Sequence, residues 1–168
     1  MNTPTSIIKP LFLAASLLAA AALPVHAAGQ VEVSYVKPEE FRDAGRGVVD
    51  RERTLGTLTQ YLQQLAKKLP EGQMLRLEVT DIDLAGEIYP GRHLNDVRVL
   101  RGGADWPHIN LRYTLLDGSR MLKAGEAKLA DSAYMFTRHS LPIQDSELAY
   151  EKRMLKQWFD QNFIAAQR

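Results

Sequence analysis

The stretch from Met74 to Leu129 constrains the fold most, because it contains two runs in which apolar and polar residues alternate. Leu75, Leu77 and Val79 are the apolar members of the first run. A period of two is the pattern of a half-buried strand. Asp117-Gly118 lies within the second run and predicts a two-residue hairpin turn, so this stretch is predicted to form an antiparallel sheet.

The predicted turn also fixes a register for the hairpin. If Asp117-Gly118 is the turn, Tyr113 faces Leu122, which gives an apolar cross-strand pair. A bulge at Gly125 is then needed to return Leu129 to the core face. A second irregularity is predicted in the first run.

That second irregularity follows from a change of parity. The alternation reverses after Thr80, so that Asp81 and Asp83 fall on the side that was apolar, while Ile82 takes the opposite side. A bulge, or the exit of the strand from the sheet, explains such a reversal.

Two amphipathic helices are predicted to flank this sheet in sequence. Leucines recur at three- and four-residue steps between Leu55 and Leu69, and Asp50 is a suitable N-cap for that helix. A final helix is predicted from a cap at Asp145 or Ser146 to about Ala165. Its apolar face contains Leu148, Leu155, Trp158, Phe159 and Phe163, and its polar side mostly contains Glu147, Glu151, Lys152 and Lys156.

Two more segments complete the predicted architecture. Val31 to Val36 alternates as a strand, and Asp96 to Leu100 is predicted to be a short extra element within the long excursion that precedes Trp106. The economical packing is an α+β two-layer sandwich, in which two amphipathic helices cover one face of an approximately four-stranded, mostly antiparallel sheet.

The first 27 residues have the three parts of a secretory signal peptide. Lys9 precedes an apolar run from Leu11 to Leu23. In Val25-His26-Ala27, small residues lie three positions and one position before the predicted cleavage site. The run is too short to span a bilayer, which needs about 20 helical residues. We therefore predict a signal peptide at 1–27, a single domain at 28–168 and a periplasmic location with no stable membrane anchor.

Composition narrows the possible chemistry and partners. The chain has no cysteine, which excludes disulfides, thiolate metal sites, a cysteine nucleophile and a lipid-modified N-terminal cysteine. Its net charge is +1, so electrostatics give no reason to expect nucleic acid as a partner. A protein or another envelope component is the expected partner.

Familiar catalytic and metal motifs are absent or incomplete. Asp81 to Gly86 begins like a calcium loop, but Ala85 and Arg92 stand where that loop needs oxygen ligands. No zinc, phosphate-loop or serine-hydrolase motif is present. We expect no metal and no cofactor.

A polar and aromatic cluster around the excursion is the predicted binding edge, because arginine and tryptophan dominate binding hot spots. Its residues are Asp81, Asp83, Glu87, Arg98, Arg101, Asp105, Trp106, His108 and Arg112. The preferred hypothesis is a non-catalytic binding or envelope-maintenance module. One alternative is a small hydrolase that uses Asp81, Asp83 or Glu87 with Arg98 or His108. Another is a homodimer formed through an open sheet edge or the leucine stripe.

Several short segments resemble a family of exported bacterial proteins that is classified as a domain of unknown function. They include Phe41-Arg42-Asp43, Glu78 to Gly86, Arg98 to Arg101, Ala104 to Pro107 and Tyr150 to Leu155. The resemblance implies export across the inner membrane of a two-membrane bacterium, and it implies no activity, cofactor or catalytic residue. In element order alone, the fold is also similar to the α/β sandwiches of lipopolysaccharide-assembly lipoproteins, although the missing cysteine departs from those proteins.

Overall fold

The computed structural model describes residues 28–91, 96–136 and 147–165. The predicted signal peptide and the predicted cap at Asp145 or Ser146 lie outside these ranges. The elements, in chain order, are β1 (Gln30–Tyr35), a 3-10 turn (Pro38–Glu40), α1 (Gly47–Ala66), β2 (Gln73–Asp83), β3 (Glu87–Pro90), β4 (Asp96–Val99), β5 (His108–Asp117), β6 (Arg120–Ala130), α2 (Ala149–Phe159) and a π-helical turn (Asp160–Ile164).

Four strands form the main sheet in the order β1-β2-β5-β6. β1 runs parallel to β2, and the other neighbours are antiparallel, so the sheet is mixed but mostly antiparallel, as predicted. Both helices cover the same face of this sheet. Leu62 of α1 and Trp158 of α2 are buried there against Leu77 and Leu111, and Tyr113 packs at the margin of this core. The predicted α+β sandwich is confirmed. The uncovered side of the sheet is called the open face below.

The predicted bulge in the first strand is present. The pairing between β2 and β5 shifts between Val79 and Asp81, so that Thr80 has no partner in the register. Ile82 is thereby returned to the core side, where it is fully buried. Asp81 and Asp83 are placed on the open face, opposite Asn110 and His108.

The predicted hairpin register is wrong. The turn is Gly118-Ser119, because Asp117 pairs with Arg120, and the irregularity lies at Leu122 instead of Gly125. Tyr113 therefore faces Gly125. A Cβ at Gly125 would lie 2.9 Å from the Tyr113 hydroxyl oxygen, so the tyrosine ring occupies the space of the missing side chain. This fit favours the observed register over the apolar pairing with Leu122.

The helix boundaries also differ from the prediction at their N-terminal ends. α1 begins at Gly47, so Asp50 lies inside its first turn, where a negative charge is favourable near the free N–H groups, and it is not the cap. α2 begins at Ala149, directly after Leu148 in a left-handed conformation. The π-helical turn carries the C-terminal helical stretch to Ile164 and buries Phe163.

A second, two-stranded sheet formed by β3 and β4 lies in the excursion and is called the ribbon. β4 confirms the predicted short element, whereas β3 was not predicted. Neither helix within the described ranges has both the length and the apolar character that a membrane span requires.

Candidate functional site

A cavity of about 320 Å³ lies where the ribbon meets the end of β2 and the start of α2. It is called the ribbon cavity. The described residues that line it are Leu84, Ala85, Arg98, Leu100, Leu148, Ala149, Tyr150 and Glu151. Five of these eight residues are aliphatic, and the remaining three carry a guanidinium, a phenol and a carboxyl group. A mostly apolar wall with a few convergent polar groups is the usual composition of a ligand pocket.

Arg98 is held in place by a carboxylate and by backbone carbonyls. Its two terminal nitrogens donate to the two oxygens of Asp43 at 2.8 and 3.1 Å. One of them also donates to the carbonyl oxygens of Ala85 and Gly86, at 3.3 and 3.0 Å. A two-point arginine–carboxylate pair is geometrically specific and stronger than a neutral hydrogen bond.

Asp43 reaches Arg98 because its backbone is tied to the end of β2. Its N–H donates to the Ile82 carbonyl at 3.0 Å, and its own carbonyl accepts from the Leu84 N–H at 3.0 Å. Asp43 thus extends the parallel pairing beside Asp83. The loop before α1 therefore contributes an acid to the ribbon side of the sheet.

Glu151 is the most deeply buried charged residue in this region, with 2% of its surface exposed. The Ala85 N–H donates to its carboxylate oxygen at 2.8 Å, which joins α2 to the end of β2. Burial raises the pKa of the Glu151 carboxyl, although the N–H groups of Ala85 and Glu151 and the charge of Arg98 act in the opposite direction. A buried acid with a raised pKa at the wall of a cavity marks a candidate functional site.

Four of the predicted site residues meet at one end of the open face: Asp81, Asp83, Trp106 and His108. Arg42 donates to Asp81 at 2.7 Å and lies 3.3 Å from an Asp83 oxygen. The His108 Nδ1 atom lies 3.7 Å from Asp83, is buried and has no hydrogen-bond partner among the described residues. The ring of Trp106 packs against that of His108, with centroids 5.7 Å apart.

Asp83 is partly buried and also lies close to positive charge. Burial raises the pKa of Asp83, while the positive charge of Arg42 and the interaction with His108 lower it. Asp83 and Glu87 share the wall of a second concavity of about 410 Å³ with Arg42 and Arg46.

Arg112 lies further along the open face and apart from this group. It donates to Glu78 at 2.8 Å, and both side chains are largely exposed. The concavity around them measures about 400 Å³, and its side chains from the open face are all polar or charged. The structure therefore places Arg112 away from the ribbon.

The remaining predicted residues belong to the ribbon and the turn that follows it. Glu87 accepts a hydrogen bond from the Tyr89 hydroxyl, and the Arg101 guanidinium lies 4.6 Å from the centre of the Tyr89 ring. Asp105 accepts from the Arg101 N–H at 2.7 Å, and this bond lowers the pKa of Asp105. Asp105 therefore closes the turn at 101–105 by accepting a hydrogen bond from the backbone of Arg101.

The predicted residues are thus divided among four places and do not form one continuous edge. These places are one end of the open face, the part of the open face at Arg112, the ribbon with the turn at 101–105, and the wall of the ribbon cavity. Only Arg98 reaches the ribbon cavity. No group of three or more histidines and acids within the described ranges is arranged to hold a metal ion.

Sequence reasoning missed Asp43 and Glu151, and it placed Glu151 mostly on the polar side of the last helix, which is wrong. Glu151 lies three residues after Leu148 and four before Leu155, so it belongs to the apolar stripe of that helix. An acid within an apolar stripe was the available signal. For Asp43 no comparable periodic signal exists, because it lies in a loop.

Comparison with known proteins gives a family and no activity. A family model described as a protein of unknown function (DUF3016) matches residues 29–161. No curated protein and no solved structure matches the chain. The match covers most of the chain and includes every residue of the ribbon cavity and of the open face. The chain belongs to this family of proteins of unknown function.

Proposed function

We propose that the protein is a non-catalytic periplasmic binding module that serves the bacterial envelope and holds its ligand in the ribbon cavity. The observation that carries this proposal is the ribbon cavity itself, an apolar pocket with a buried carboxyl group and a fixed guanidinium in its wall. Its volume of about 320 Å³ falls within the usual range for small-ligand sites, about 300–1,000 Å³.

The pairing of the acids supports binding over hydrolysis. Asp43 is paired with Arg98, and Asp81 is paired with Arg42. Glu151 lies against a backbone N–H and faces no second carboxylate among the described residues that line the cavity. General acid–base chemistry needs a group that is free to exchange a proton with a substrate, and these contacts instead fix the acids in place.

Photocrosslinking inside the cell tests the proposal directly. p-Azidophenylalanine is placed at Tyr150, which lines the ribbon cavity, or at Tyr61 of α1 as a matched tyrosine position outside it. We expect an adduct at Tyr150 and none at Tyr61. Filling the cavity with Ala149→Phe removes the adduct, while Ala124→Phe on the exposed surface of β6 leaves it unchanged. An adduct that persists in the Ala149→Phe protein contradicts the proposal.

Export is tested separately. The residues at 1–27 have the composition of a cleavable leader, so the protein recovered from the periplasmic fraction is expected to have the mass of a chain that begins at Ala28. Full-length protein retained in the cytoplasm contradicts the proposed location.

The hydrolase hypothesis has one supporting observation, the concavity shared by Asp83 and Glu87. In that scheme Asp83 acts as the acid, because burial raises the pKa of its carboxyl group. A panel of chromogenic esters, glycosides and phosphates tests it. Turnover that disappears in Asp83→Asn supports hydrolysis, and no turnover of any substrate by the folded protein counts against it.

A further inference from the structure

Among the residues that the structure describes, the charges at the ribbon cavity do not balance. Arg98 and Glu151 are the charged residues among those described in its wall. Arg98 is already neutralised by Asp43, which binds it through both carboxylate oxygens. When Glu151 is ionised, the three groups therefore carry one net negative charge, and that charge lies on a side chain that is 2% exposed.

Neighbouring groups stabilise this charge only in part. The Ala85 N–H donates to Glu151 at 2.8 Å, and Arg98 is near enough to lower the pKa of Glu151. Burial nevertheless raises that pKa, so desolvation outweighs these contacts. A buried charge without a full counter-ion is costly, and it becomes stable when a cation binds beside it.

The rest of the wall determines the kind of cation. Leu84, Leu100 and Leu148, together with Ala85 and Ala149, give the cavity an aliphatic surface that offers nothing to a hydrated metal ion. Magnesium and calcium need several oxygen ligands, and the described part of the wall supplies one carboxylate. An organic cation with an apolar body can bind the carboxylate at one end and bury its chain against the leucines.

From these observations we infer that the ribbon cavity binds a primary amine on a short aliphatic chain, with its ammonium group on Glu151 and its chain between Leu100 and Leu148. This inference rests on the proposed function and names the ligand class for that site. The same chemistry is present in a free alkylamine and in a lysine side chain of a partner protein.

Binding of three probes with equal chain lengths tests the charge preference. Hexylamine, 1-hexanol and hexanoate are titrated into the protein while the backbone amide resonances of Ala85, Tyr150 and Glu151 are followed by NMR. The Ala85 amide is a direct reporter, because it donates to Glu151. Since charge-assisted hydrogen bonds are about twice as strong as neutral ones, we expect hexylamine to bind about tenfold more tightly than hexanol, and hexanoate to bind most weakly.

Two variants assign the preference to the charge of Glu151. Glu151→Gln keeps the shape of the side chain and removes its charge, so hexylamine and hexanol are expected to bind equally. Asp43→Asn leaves Glu151 itself unchanged and removes the carboxylate that neutralises Arg98, so the charge of Arg98 becomes available to Glu151 and the preference for the amine is expected to fall as well. If Glu151→Gln fails to fold, the Asp43→Asn result still decides the question.

The outcomes separate the two proposals. If no probe shifts the three resonances, the inference of an aliphatic amine fails, and the crosslink at Tyr150 decides the proposed function separately. If the probes bind but the amine has no advantage, only the ligand class is wrong. Nα-acetyl-lysine methylamide distinguishes the sources: binding as tight as that of hexylamine indicates a lysine side chain, and binding more than about tenfold weaker indicates a free amine.

Discussion

The ribbon cavity and the concavity around Arg112 and Glu78 on the open face are similar in size and opposite in chemistry. Their volumes are about 320 and 400 Å³. In the open face, the side chains of the Arg112–Glu78 pair are 51% and 42% exposed. At the ribbon cavity, the side chains of the Arg98–Asp43 pair are 28% and 23% exposed, and Glu151 is almost completely buried.

This difference indicates which charged residues matter to the protein. Exposed ion pairs contribute about 0–1 kcal/mol, because water and salt screen them and their side chains lose freedom. Buried charges are costly to remove once the surrounding groups have been arranged around them. The number of charged residues in a region is therefore a poor guide to function here, whereas their burial is informative.

The largest expected effect comes from removing one arginine in each region. Arg98→Ala removes the guanidinium that donates to both oxygens of Asp43 and to two backbone carbonyls, so we expect a loss of about 2–4 kcal/mol in the free energy of unfolding. Arg112→Ala removes an exposed pair and is expected to cost less than about 1 kcal/mol. Urea unfolding followed by tryptophan fluorescence measures both. Equal losses would show that burial does not distinguish the two arginines.

A pair of glycines tests how closely the ribbon packs. Gly86 and Gly118 both have positive φ angles, of 80° and 57°. A Cβ at Gly86 would lie 2.6 Å from the Val99 carbonyl oxygen, whereas one at Gly118 meets nothing within 4 Å. We expect Gly86→Ala to cost about 3 kcal/mol, from strain and overpacking together, and Gly118→Ala about 1 kcal/mol from strain alone. Similar midpoints in urea would show that the ribbon moves aside easily.

The pH dependence of stability compares Glu151 and Asp83, two acids whose pKa values are raised by burial. Between pH 4.5, the ordinary pKa of a glutamate, and the raised pKa of Glu151, the folded state binds more protons than the unfolded state. Stability from this group is therefore present at low pH and is lost as the pH rises, by at most about 1.4 kcal/mol per pH unit. Glu151→Gln is expected to flatten the stability profile above pH 4.5 more than Asp83→Asn does, because Asp83 is more exposed. Unfolding curves across this pH range measure the difference, and a greater flattening by Asp83→Asn would reverse the ranking.

The smallest expected effect tests whether burial or proximity to the ribbon determines the cost of removing an arginine. Arg101 belongs to the ribbon side of the molecule, but its guanidinium lies over Tyr89 at the exposed surface. An exposed cation–π contact is worth about 0.5–1 kcal/mol, so Arg101→Ala is expected to lose no more than that. A loss as large as that of Arg98→Ala would mean that proximity to the ribbon, and not burial, determines the cost.

The parts of the fold that were predicted correctly follow from periodicity. The leucine stripe of α1, the alternation of β1, β2 and β5, and the change of parity at Thr80 each depend on neighbouring residues along the chain. The hairpin register was wrong because the fit of the Tyr113 ring over Gly125 depends on two strands together. The candidate site was mostly missed because Asp43, Arg98 and Glu151 are far apart in sequence.

The amino-acid sequence alone requires that two helices cover one face of a sheet, because apolar residues at periods of two and of about 3.6 must be buried together. It also determined that no disulfide or thiolate chemistry is available. Which charged residues lie in water and which lie in the interior follows from the three-dimensional packing. Electrostatic effects depend on distance and solvent exposure in three dimensions, and neither quantity is encoded by local spacing along the chain.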